Sequence, residues 1–126
     1  MTNLTLTIVD GTYAIHRFAP GTFIPKAVFS SPFYSVTATG EELSVVVLDG
    51  LVTGSEITDG GWSVIKVNGP LELNLVGVMA GLSAALAEAG VSLFAISTFD
   101  TDYLLVKAVQ LRKARSALEA RGCHFA

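Results

Sequence analysis

Leu86-Ala87-Glu88-Ala89-Gly90-Val91-Ser92-Leu93-Phe94-Ala95-Ile96-Ser97-Thr98-Phe99-Asp100-Thr101-Asp102-Tyr103-Leu104-Leu105-Val106 is the stretch whose reading decides the fold. It passes from the end of an apolar helix, through a glycine, into two strands. Leu75, Val78, Met79, Leu82, Ala85, Leu86 and Ala89 recur at i, i+3, i+4 and i+7, the period of one helix face. That spacing predicts a helix from about Asn74 to Ala89, stopped by Gly90 as its C-terminal cap. Val91 to Thr98 and Tyr103 to Lys107 read as the strands of a hairpin across Asp100-Thr101.

Outward from this stretch, Trp62 to Val67 reads as a strand closed by Asn68-Gly69-Pro70. Gln110 to Arg121 reads as a second helix, stopped by Gly122, with Cys123 to Ala126 able to add an edge strand. The order is strand, helix, strand, strand, helix, strand. In the first half, Leu4 to Val9 and Tyr13 to Phe18 predict a hairpin, because Asp10-Gly11 suits a type I′ turn. Phe23 to Phe29 has room for a short helical piece only. Tyr34 to Ala38 and Leu43 to Leu48 predict a second hairpin around Gly40-Glu41. Asp49 to Gly61, rich in Gly, Thr and acids, is the linker candidate.

The two halves repeat one another. Tyr34 through Thr37 and Leu43 through Val46 align with Phe94 through Ser97 and Tyr103 through Val106 at an offset of 60. Tyr13 through Phe18 aligns with Trp62 through Val67 at an offset of 49. A duplicated strand–helix–strand–strand core, its first copy degenerate, accounts for both. Alternation of apolar residues alone produces some of the same similarity.

Composition narrows the function classes. The chain has 126 residues, 51% hydrophobic and 15% charged, with a net charge of −3. That is too apolar for a disordered segment and too acidic for a nucleic-acid module. Cys123 is the only cysteine, so no internal disulfide forms. Mean hydropathy is high at +0.57. The uncharged run Leu73 to Ala87 still falls short of the ~18–20 residues a spanning helix wants. Gly77 and Gly81 form a GxxxG, read here as small residues that let a helix sit close to its neighbours. No signal peptide is evident at the N-terminus, and the expected compartment is the cytoplasm.

Few residues carry chemistry. His16 lies on a strand and reads as a core histidine before it reads as a ligand or base. Cys123-His124 points to opposite faces of a strand and lacks a second ligand pair, so no metal or other cofactor is expected. Arg112, Lys113, Arg115 and Arg121 read as a solvated helix face. No nucleophile–base pair can be assembled, and catalysis is not expected. Asp100 and Asp102, after Ser97-Thr98-Phe99, are turn-forming residues first. A second reading has Asp102 fix an ammonium or guanidinium, with Thr98 and backbone groups holding a carboxylate.

Gly77-Val78, Leu86 through Phe94 and Ser97 through Val106 together resemble the ACT-domain family. The resemblance is to the branch that holds the mammalian cytosolic arginine sensor and its short bacterial relatives. It implies an α+β fold of two ACT-like (ferredoxin-like) units, residues 1–60 degenerate and residues 61–126. It also implies a non-catalytic regulatory module that binds a small molecule, an amino acid, as a homodimer. A dimerisation or protein-interaction module without a ligand, engaging some protein partner, is the alternative. In the resembled proteins the ligand sits where two copies of the second unit meet. Ser92 and Leu93 of one copy, and Thr98, Phe99 and Asp102 of the other, hold the matching positions. An acidic position near the first helix falls on Leu75 here. A guanidinium wants a carboxylate partner; Glu72, three residues away, is the alternative carboxylate, and with Leu75 at the position itself a neutral ligand side chain is expected instead of that of arginine. Neither nucleic acid nor membrane is an expected partner.

Overall fold

The computed structural model describes residues 4–69 and 77–126. It has seven strands and two α-helices among these residues. The strands are β1 (Thr5–Phe18), β2 (Ser35–Ala38), β3 (Leu43–Leu48), β4 (Ile57–Val67), β5 (Phe94–Ser97), β6 (Asp102–Lys107) and β7 (His124–Phe125). The helices are α1 (Val78–Glu88) and α2 (Leu111–Ala120), with single 3₁₀ turns at Lys26–Ser30 and Ala108–Gln110.

The chain forms two compact units, Met1–Val9 with Ser63–Ala126, and Asp10–Trp62. The expected cut after residue 60 thus falls inside β4, a strand with residues in each unit. The larger unit orders its strands β7-β1-β4-β6-β5 and carries both helices. From β4 onward it follows the strand, helix, strand, strand, helix, strand order. The N-terminal end of β1 enters between β4 and β7. Thr5 and Leu6 pair in parallel with His124 and Phe125. Its core gathers Leu6 of β1, Ile65 and Val67 of β4, and Leu104 and Val106 of β6. Leu82, Ala85 and Leu86 of α1 and Ala114 and Leu118 of α2 pack with them.

Both helices stop in the same way. Gly90 takes φ +74°, its N–H donates to Ala87 O, and the Val91 N–H donates to Leu86 O. Gly122 takes φ +92°, its N–H donates to Glu119 O, and the Cys123 N–H donates to Leu118 O. These are Schellman ends, in which a glycine turns left-handed and the residue after it packs back on the helix. Val91 with Leu86, and Cys123 with Leu118, supply that apolar contact in the core.

The smaller unit orders β2-β3-β1-β4. Its core is Phe18, Val28, Leu43, Val45, Val47 and Val52. One 3₁₀ turn stands where the larger unit has a helix, in keeping with the short helical piece expected there.

The hairpin expected at Asp10-Gly11 does not form. β1 runs unbroken from Thr5 to Phe18, and Gly11 sits within it at φ +95°. A glycine at positive φ inside a strand bends it without reversing it. The cause lies in tertiary contacts that the turn signal does not contain: Tyr13 to Phe18 pairs with β3, and Thr5 and Leu6 with β7. The two real hairpins match at an offset of 59, one less than the alignment gave. Ala38 faces Leu43 and Ser97 faces Asp102 across four-residue loops. Thr39 and Thr98 play one role: each donates its N–H to the carbonyl three residues on, at 2.9 and 2.8 Å. Each hydroxyl also accepts the N–H of that residue, at 3.2 and 3.3 Å. A one-residue slip exchanges the faces of a strand, so the offset matters. At 59, buried Val45, Val46 and Val47 fall on buried Leu104, Leu105 and Val106.

Candidate functional site

β5 is only four residues long, and five of the expected site residues, Ser92, Leu93, Thr98, Phe99 and Asp102, lie about its two ends. At the N-terminal end, Ser92 is exposed and Leu93 half-buried. Together with Ser83, Ala87, Gly90 and Val91 they line an open depression of about 570 Å³. The Schellman end of α1 shapes it, because the left-handed Gly90 turns the chain sharply into Ser92. A β-carbon on Gly90 would lie 3.8 Å from Lys113 Nζ, so an ammonium stands close by.

At the other end, Thr98 to Thr101 closes the hairpin. Phe99 is 79% exposed at its tip. Asp102 is half-buried, and its Oδ1 accepts a 2.6 Å hydrogen bond from Ser97 Oγ, directly across the hairpin. The Thr98 hydroxyl is engaged with the backbone of Thr101. Thr101 is buried, and its hydroxyl donates at 2.5 Å to the carbonyl of Val67, which ties the hairpin tip to the end of β4.

Within one chain these two groups do not meet. Leu93 and Thr98 are separated by the length of β5, roughly 16 Å at an extended rise of 3.3 Å per residue. Leu75, assigned to the acidic position, lies outside the described residues. Ser97 as the partner of Asp102, Thr101 as the anchor of the turn, and Lys113 near the depression were missed by sequence reasoning. The hairpin register would have found Ser97, since it sits opposite Asp102. No sequence signal marks Lys113.

The remaining titratable candidates are quiet or structural. His16 is buried, at 3% exposure, with Nδ1 2.9 Å from Ser55 Oγ and 3.3 Å from Thr58 Oγ1. Burial pushes its pKa below the usual histidine value, and the charge of Asp49 opposes that shift. Cys123 is buried and His124 exposed, on opposite faces. Burial raises the Cys123 thiol pKa, so it is a weak nucleophile. Among the described residues no three His, Cys, Asp or Glu side chains gather as a metal site. Arg115 lies over the Phe125 ring at 4.9 Å, and Arg121 pairs with Glu88. Much of the basic face of α2 is therefore tied to its own unit.

Residues 57–120 match the model of the ACT domain. The chain belongs to the ACT domain family. A second family model, described as an N-terminal domain, matches residues 11–54. Among solved structures, a protein from Agobacterium tumefaciens is similar at 32% identity and a TM-score of 0.91. The match covers 100% of this ACT chain and 94% of that protein. A protein of unknown function from Vibrio cholerae, described as a possible transport protein, is 20% identical with a TM-score of 0.71. It is covered over 94% of this chain and 90% of its own. The regulatory subunit of aspartate kinase from Thermus flavus shares the fold at 13% identity and a TM-score of 0.64, over 91% and 95% of the two chains. No curated protein matches the chain. Among the described residues, no helix is long and apolar enough to cross a membrane.

Proposed function

We propose that this ACT chain is a non-catalytic regulatory module of the cytoplasm that binds an amino acid between two copies of itself. We read it as belonging to the branch that holds the arginine sensor and its short bacterial relatives, on the residues quoted for that resemblance. The observation that supports the reading is the pair of features at the two ends of β5, an open depression and a polar hairpin tip. One end offers the depression by Ser92 and Leu93, with the Lys113 ammonium near Gly90. The other end offers Thr98, Phe99 and Asp102. A zwitterion needs a cation for its carboxylate, an anion for its ammonium and an apolar wall, and the two ends divide these features. Oδ1 of Asp102 is committed to Ser97, and Oδ2 is assigned to the ligand ammonium. By the resemblance, Leu75 takes the sequence position of an acid that would meet a guanidinium, so the ligand is read as having a neutral side chain.

The chain is read as two ACT-like repeats, residues 1–60 and 61–126. The matching Thr39 and Thr98 turns support that reading. A thermal-shift panel of the twenty amino acids tests the function, because a ligand that binds only the native state raises the midpoint. One or a few neutral amino acids are expected to do so. A flat panel favours the second reading, a dimerisation or protein-interaction module without a ligand. Exposed Phe99, and Phe23 at 94% exposure in the other unit, are the observations on its side.

A further inference from the structure

We propose that residues 49–56 form a strap clipped to β1 through His16, and that protonation of His16 releases it. The strap leaves β3 at Asp49, sinks Val52 into the core of its unit, and returns at Ser55 and Glu56. Two consecutive residues of β1 hold it from opposite faces. Inside, the His16 ring stacks on Phe18, with centroids 6.1 Å apart, and its Nδ1 meets the hydroxyls of Ser55 and Thr58. Those hydroxyls are themselves 2.8 Å apart. Outside, Arg17 pairs with Glu56, and its carbonyl accepts the Glu56 N–H at 2.8 Å.

His16 Nε2 is buried and makes no hydrogen bond in the described structure. The neutral ring that fits this site carries its proton on Nδ1 and donates to Ser55, leaving Nε2 as a bare lone pair. A second proton would place a charged N–H at Nε2, away from water and from any acceptor, which is expensive. Opening the strap hydrates the ring and removes that penalty, so protons bind the open form preferentially. The groups around His16 do not offset it. β3 presents Val45, β4 presents Thr58, and Arg17 lies on the opposite face of β1. The strap presents Asp49, whose charge favours the imidazolium but is outweighed by burial.

The sign follows. The closed form holds a lowered pKa, so its advantage is complete above the ordinary value of 6.5 and is lost as pH falls below it. At pH 5 the population of the open strap rises by up to about 30-fold, the limit for a ring that stays neutral while closed.

Amide hydrogen exchange at pH 7.5 and pH 5, expressed as protection factors, reads this directly. The Glu56 amide is expected to lose up to about 30-fold of its protection at pH 5, more than the amides of β3. His16→Asn keeps a donor near the Nδ1 position and cannot titrate, so this pH dependence should vanish. Persistence of the loss in His16→Asn, or an equal loss throughout β3, would overturn the proposal. If His16→Asn does not fold, Ser55→Ala serves. It should lower Glu56 protection at both pH values and bring the His16 titration, followed by NMR, closer to 6.5. An unchanged titration and unchanged protection would also overturn it.

Discussion

Asp102 is the residue on which the ligand reading turns. Its carboxylate is half-buried and already accepts from Ser97. Asp102→Asn keeps the shape and removes the charge. Losing a charged partner from a desolvated site costs on the order of 2–5 kcal/mol, which is roughly 30-fold or more in affinity. The hydrogen bond to Ser97 is exposed, so folding stability should fall by about 1 kcal/mol or less. Calorimetry on folded Asp102→Asn decides the matter: unchanged affinity means that Asp102 only shapes the hairpin. Thr101 offers the contrasting case. Its buried hydroxyl bonds a buried carbonyl, so Thr101→Val should cost about 1–3 kcal/mol of stability, read by urea unfolding. A cost near zero would show that the hairpin tip does not need this tie. At this scale the sequence was legible in part. Aspartate, threonine and an aromatic after a strand mark a polar turn whatever the rest of the chain does. What Thr101 holds depends on Val67, distant in sequence, and no local pattern reports it.

The elements were legible wherever local signals and tertiary pairing agree. Both glycine stops were readable because a Schellman end needs a left-handed residue followed by an apolar one, and Gly90-Val91 and Gly122-Cys123 show that pattern. Asp10-Gly11 carries an equally strong local signal, yet β1 continues through it because its two ends pair with different strands. The same glycine chemistry therefore serves two purposes, and substitution separates them. Gly90→Ala forces a left-handed alanine into ordinary van der Waals surroundings and should cost about 1–2 kcal/mol. In Gly11→Ala the new β-carbon would also lie 2.8 Å from Leu48 Cδ2. The end of the Leu48 side chain must shift, which adds up to about 0.5–1.5 kcal/mol. Urea unfolding should give midpoints ordered wild type, Gly90→Ala, Gly11→Ala, at a common slope. The reverse order would mean that the strand relaxes around residue 11.

For the whole molecule, the separation of the two proposed half-sites sets the assembly that the proposed function needs. A free amino acid cannot bridge roughly 16 Å, so one chain cannot supply both ends of β5 to one ligand. Two chains related by a two-fold axis can, since an isologous interface brings the depression of one copy to the hairpin tip of the other. Among the described residues β5 is the last strand in the order of its unit, next to β6. The expected form is a homodimer through this unit, and ligand binding and dimerisation must then be linked. A ligand that binds only the dimer tightens it, and the dimer's concentration dependence appears in the apparent ligand affinity. Ala95→Lys tests the link, because Ala95 is exposed on β5 and a lysine there discourages edge pairing without disturbing the core. Light scattering should show a dimer for the wild type at micromolar concentration and a folded monomer for Ala95→Lys. The monomer should give no thermal shift with the amino acid that stabilises the wild type. A wild type that is monomeric at that concentration would remove the dimer. A monomeric Ala95→Lys that binds the ligand with undiminished affinity would place the whole site within one chain, and the division of roles between Ser92 and Asp102 would fall with it.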